Sequence, residues 1–128
     1  MKEKKVAFKL VDFLECAYTY SISTKEKEGK APMFEISTQG ITIAAKEFIK
    51  KTKIVNIHIP APLGPLDLIA EVESNKLEWY VTDEGKDMRF TTKLIFKDLP
   101  ATTRTHIIKY VYRCRKERRD ALLKRLGL

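Results

Sequence analysis

The chain has 128 residues, 44% of them hydrophobic, which suits one domain with one packed core. No run approaches the ~18 consecutive apolar residues that mark a membrane-spanning helix, so a helical span is excluded. The net charge of +8 sits at one end: residues 1–100 hold sixteen Lys+Arg against fifteen Asp+Glu, and residues 101–128 hold nine against two.

In chain order, residues 1–9 read as a flexible basic leader. The apolar stretch that follows is broken by Lys9, Asp12 and Glu15, which makes a poor signal peptide. Two cysteines, Cys16 and Cys114, make no disulfide framework, and a reduced, cytoplasmic location is the simplest expectation. Alternation then dominates residues 10–97. Leu14, Cys16, Tyr18, Tyr20 and Ile22 share one face of a first strand, and residues 23–32 read as a charged loop. Next comes Phe34-Glu35-Ile36-Ser37-Thr38-Gln39-Gly40-Ile41-Thr42-Ile43, two short strands around a tight turn in which Gly40 is expected to supply a left-handed backbone. The turn is expected to gather a carboxylate, a hydroxyl and exposed backbone amides at the rim of a β-structure. Val55, Ile57 and Ile59 alternate with Ile54, Asn56 and His58; Leu66, Leu68, Ala70 and Val72 form a further strand, and Leu77, Trp79 and Val81 another. After the Asp83-Glu84-Gly85 turn, Phe90, Thr92, Leu94 and Phe96 make the last one. The pattern is all-β dominated, a six- or seven-stranded antiparallel barrel or sandwich.

The period then changes. Asp98 or Thr102 is expected to cap a helix over residues 100–126, with Ile107, Ile108, Val111 and Cys114 as its core stripe. Arg115-Lys116-Glu117-Arg118-Arg119-Asp120 carries no apolar side chain, so the helix is expected to leave the barrel after about Cys114. Arg115, Arg118, Arg119, Leu122, Leu123 and Leu126 are candidate partner-binding residues, for an acidic protein surface or for self-association.

A β-barrel with this hairpin and a closing helix resembles the PilZ family, bacterial receptors and adaptors of cyclic di-GMP signalling. The family's hairpin motif, Asp/Asn-x-Ser-x-x-Gly, stands here as Glu35-Ile36-Ser37-Thr38-Gln39-Gly40, with Glu35 as the departure. Leu68-Ile-Ala-Glu-Val72, Lys93-Leu-Ile-Phe-Lys-Asp-Leu99 and Ile107-Ile108-Lys109-Tyr110-Val111 are similar in order and spacing. The family's Arg-x-x-x-Arg stands as Lys5-Val6-Ala7-Phe8-Lys9; no arginine precedes Arg89. The resemblance implies a barrel over 10–97 and a ligand, cyclic di-GMP, held by Lys5, Lys9, Glu35, Ser37 and Gly40. Lysine ammoniums attract phosphate but lack the planar donor fork that stacks on and grips guanine, so nucleotide binding is expected to be weakened. The implied function is that of a non-enzymatic signalling module, receptor or adaptor, with no cofactor.

Other chemistry is sparse. His58 and His106 lie far apart and, with the two cysteines, give no metal-ligand spacing. Ser37 and Gly40 also fit an ordinary capped turn. Trp79, Tyr18 and Tyr20 are expected to pack in the core or at its rim, and Asp83-Glu84 to be solvated in a turn. A single-stranded nucleic-acid-binding barrel is the remaining class; the near-neutral barrel, without aromatic residues interleaved with Lys or Arg, speaks against it.

Overall fold

Alternating burial shapes the first long strand. Cys16, Tyr18 and Tyr20 point into the core while Glu15, Ala17 and Thr19 point out. A computed structural model describes residues 7–9, 15–60, 65–82 and 85–127. Its elements are β1 (Ala7–Lys9), β2 (Glu15–Ile22), β3 (Lys25–Ser37), β4 (Gly40–Ala45), β5 (Ile54–Ile59), β6 (Leu66–Thr82), β7 (Gly85–Lys97) and α1 (Ala101–Arg125). The strands follow the order β1-β3-β2-β5-β6-β7-β4, all antiparallel, and a further β3–β4 pairing closes six of them into a barrel. Since β4 occupies one edge of β3, β1 takes the other, in line with β2.

The core is the shared inner face: Met33, Ile36, Ile43, Val55, Ile57, Ile59, Val72 and Leu94 are among its fully buried side chains. Tyr20 is buried too, its phenol donating to Glu47 Oε2 at 2.7 Å, and burial together with that carboxylate pushes its pKa up to about 12. Helix α1 packs on β3 and β1 through Ile107, Tyr110 and Val111, one stripe at i, i+3 and i+4, with Cys114 half-buried behind them. Every residue from 115 to 127 is exposed while the helix runs on to Arg125. Lys124 and Arg125 lie in its last turn, where the helix dipole favours cations.

Several expectations are corrected. Residues 23–32 are not a loop: Ser23 and Thr24 turn the chain, Ser23 at φ 56°, and Lys25 onward pairs back along β2. The charges misled because Lys25–Glu28 form the protruding part of a hairpin, where both faces are wet. The two strands expected over 66–81 are one, bent by a bulge: Val72 pairs with Leu94 and Ser74 with Lys93, leaving Glu73 as the extra residue. Residues 7–9 of the expected leader form β1, because β3 outruns β2 and offers them a ladder edge. Helix α1 is capped at Pro100, whose extended backbone ends the loop, with no side-chain cap from Asp98 or Thr102. Trp79 lies in neither core nor rim; it is 65% exposed.

The two faces of α1 predict unequal costs. Ile107→Ala removes a fully buried side chain and should cost about 2–5 kcal/mol in urea unfolding, whereas Leu123→Ala should stay within about 0.5 kcal/mol. The thiols should also separate. Burial pushes Cys16 up to about 12, so a thiol reagent at neutral pH should label only Cys114 in the native protein and reach Cys16 on unfolding.

Candidate functional site

The β3–β4 turn is built by one hydroxyl. Ser37 Oγ accepts from Gln39 N at 3.1 Å and Gly40 N at 3.2 Å, and lies 3.4 Å from the Gly40 carbonyl to which it can donate. Ser37 is 1% exposed. The hydroxyl and the two amides expected at the open rim are therefore spent on each other, and Ser37 fixes the turn. Gly40 is also needed for a different reason than expected. It is not among the positive-φ residues; instead a Cβ there would stand 2.0 Å from the Leu94 carbonyl oxygen. Only hydrogen in place of a side chain lets β4 lie this close to β7.

Glu35 owes its outward position to a second bulge. Met33 pairs with Ile43 and Glu35 with Thr42, so Phe34 is the extra residue and both Phe34 and Glu35 leave the core. Phe34 stacks on Tyr80 with centroids 5.2 Å apart. Glu35 helps line an outer depression of about 220 Å³ with Gln39, Gly40, Thr42, Glu73 and Lys93. Four register pairs run across the strands in one row: Lys9 with Glu35, Glu35 with Thr42, Thr42 with Lys93, and Lys93 with Ser74. Lys93 is a basic neighbour of the hairpin that sequence reasoning missed as a site residue. Its signal was available only through register, since it is 53 positions beyond Gly40.

Of the residues the sequence singled out, Glu35, Ser37 and Gly40 are brought together on one turn, and the backbone of Lys9 is register partner to Glu35 as Ala7 is to Ser37. Lys5 lies outside the described residues, as does the Asp83-Glu84 turn. Arg115, Arg118, Arg119, Leu122 and Leu123 are exposed on the last turns of α1, and Leu126, its C-cap, is exposed too. A wider hollow of about 460 Å³ lies elsewhere, on the outer face of β2, β5 and β6. There His58 Nδ1 meets Asp67 Oδ1 at 2.7 Å, an exposed pair that solvent screens. Among the described residues no cluster of His, Cys, Asp or Glu is arranged to hold a metal ion. No helix among them is long and apolar enough to cross a membrane.

No protein-family model matches the chain, and no curated protein does. Solved structures do. The PilZ domain with c-di-GMP of YcgR from Escherichia coli superposes with TM-score 0.70 at 10% identity, over 95% of this chain and 98% of that one. The K. pneumonia MrkH–c-di-GMP complex gives TM-score 0.69 at 13% identity over 93% of this chain. The Bacillus subtilis inhibitor of motility, MotI/DgrA, gives 0.67 at 13% identity, also over 93%. The present chain spans 54% of the length of each of the latter two. The closed barrel with its C-terminal helix is thus a PilZ-type fold.

The turn geometry predicts two stabilities. Gly40→Ala forces a methyl against a backbone carbonyl and should cost about 1–3 kcal/mol or more in chemical unfolding. Ser37→Ala leaves the buried Gly40 N–H without its acceptor and should cost about 1–3 kcal/mol, with Ser37→Thr recovering part of it.

Proposed function

We propose that this chain is a non-enzymatic, cytoplasmic signalling module of the PilZ type that receives cyclic di-GMP at the Ser37 turn. The observation that carries the reading is the β1–β3 ladder. It sets the backbone of a lysine-bearing segment beside the hairpin motif, Lys9 opposite Glu35 and Ala7 opposite Ser37. The likeness of fold to the c-di-GMP-bound YcgR domain supports the choice of ligand. In this reading Glu35 accepts from a guanine N–H edge, Ser37 holds the turn that presents it, Gly40 keeps the rim low, and Lys5 and Lys9 attract phosphate. Ordering of residues around Lys5 on the nucleotide is the switch.

A second reading rests on α1. Its exposed end carries Arg115, Arg118, Arg119, Leu122, Leu123 and Leu126, a basic and apolar surface suited to an acidic protein partner. Here the domain is an adaptor that works by contact alone. The like charge of this surface opposes pairing with a second copy.

Calorimetry with cyclic di-GMP separates the two. Saturable heat in the micromolar range, lost in Glu35→Ala and in Lys5→Ala plus Lys9→Ala, is the result expected of a receptor. Lys5→Arg plus Lys9→Arg should tighten binding by about 1–3 kcal/mol per contact, since a guanidinium adds the fork and the stacking face. No heat from either the natural chain or the arginine variant sinks the receptor reading and leaves the adaptor.

A further inference from the structure

The barrel's inner face does not stop where the barrel does. Beyond Ala45, which pairs with Phe90, β4 no longer accompanies β7, and β5 leaves β6 at Glu71. Residues 52 and 53 still bond to Val72, and past Asn75 and Thr92 β6 and β7 continue alone as a two-stranded ribbon to Thr82 and Gly85. At roughly 3.3 Å per residue this ribbon overhangs the barrel by about 15–20 Å. Buried Thr92 and half-buried Asn75 make the last layer of the interior: Thr92 donates to Asn75 Oδ1 at 2.8 Å, and Asn75 Nδ2 donates to the Ile49 carbonyl at 2.7 Å. The next residues on that same face are Leu77 opposite Phe90, then Trp79 opposite Met88. No strand among the described residues covers them. Leu77 is 50% exposed, Trp79 65% and Met88 43%, and Phe48, edge-on to Phe90, is 60% exposed.

The other face of the ribbon is finished. Tyr80 stacks on Phe34 and bonds to Thr91, Thr91 donates to Glu78, and Arg89 pairs with Asp87. The bare side is the continuation of the core face, and it carries indole and aliphatic groups with no acid among its described residues.

Its surroundings are basic. Residues 46–53 cross this end of the barrel from β4 to β5 and hold four lysines against one glutamate. Lys46, Lys50 and Lys51 are exposed. That glutamate, Glu47, accepts the Tyr20 hydroxyl. Across the mouth, Lys25 and Lys27 are register partners of Ile22 and Tyr20, whereas Glu26 and Glu28 pair with Ser21 and Thr19 on the outer face. The Ser37 turn and the start of α1 belong to the opposite end, where Gly40 pairs with Ile95.

We infer that the overhanging β6–β7 ribbon and the lysine-bearing 46–53 segment form a docking surface for an anionic phospholipid bilayer. A tryptophan flanked by leucine, methionine and phenylalanine suits the boundary between headgroup and acyl chain, and lysines around it meet lipid phosphates as point charges. Nucleic acid is the poorer match. Base stacking wants flat faces interleaved with arginine, while Leu77 and Met88 are aliphatic and the ribbon's one arginine, Arg89, is bound to Asp87. This inference stands independently of nucleotide binding.

Trp79 is the single tryptophan of the chain and reports directly. Vesicles of phosphatidylglycerol and phosphatidylcholine in equal parts, at low salt, should blue-shift its emission and carry the protein in flotation. Pure phosphatidylcholine should do neither, and high salt should reverse both. Lys50→Glu plus Lys51→Glu should weaken binding on the order of tenfold or more, with unchanged thermal unfolding. Arg115→Glu plus Arg119→Glu, which disarms the basic helix, should leave the emission shift in place. The inference is overturned by flotation without a Trp79 shift, by loss of binding in the helix variant alone, or by no response to anionic vesicles. A Trp79 response to a single-stranded oligonucleotide but not to vesicles overturns it as well.

Discussion

Closure of the sheet between β3 and β4 is the constraint on which the remainder of the molecule rests. Without that ladder two strand edges would lie bare and the inner-face residues Met33, Ile36, Ile41 and Ile43 would lose the partners that keep them dry. Closure is made with a bulge, and the bulge does more than bend the strand. Burial moves from Ala31 and Met33 to Ile36, a change of parity that puts two successive residues, Phe34 and Glu35, outside. One becomes the aromatic prop for Tyr80; the other faces Thr42 and Lys93. The same strand runs past β2 far enough to seat β1. A single strand therefore carries Glu35 and Ser37 and pairs with both β1 and β4.

The barrel also separates two kinds of surface. At one end lie the Ser37 turn and the root of α1, both positioned by tight packing: a carbonyl against Gly40, and Ile107, Tyr110 and Val111 against the strands. At the other, polar bonds through Asn75 and Thr92 seal the interior, and the ribbon goes on without a covering layer. The buried core ends at that polar layer, and the ribbon beyond it is held by the β6–β7 ladder.

Much of this was legible in the residues, and what was not follows from register. Period-2 alternation identified the inner faces of β2, β5, β6 and β7, because a half-buried strand must sort its side chains by side. The place where α1 leaves the barrel was visible as a run of six residues with no apolar side chain. The motif residues Glu35, Ser37 and Gly40 were found because they are neighbours in sequence. Lys93 was not, because it reaches them only through ladder pairing. Three misreadings share one cause. The loop at 23–32, the break in β6 and the core-or-rim position of Trp79 all assumed that strand and core end together. Here two hairpins outrun the core, and hydrogen bonding to a partner strand holds the backbone extended where no hydrophobic contact marks it. Gly40 shows a different limit: its need is steric, and steric crowding from a strand 54 residues away leaves no local signature.

Tyr18 and Gly29 are register partners on β2 and β3, and the phenol ring lies over the glycine so closely that a Cβ there would fall 2.3 Å from its Cζ and hydroxyl oxygen. The ring is buried and stacked beside Tyr20. The two positions are thus tied in evolution: a side chain at position 29 requires that the ring at position 18 shift or be shortened. Among distant relatives of this chain, aromatic and glycine should come and go at these two places as a pair.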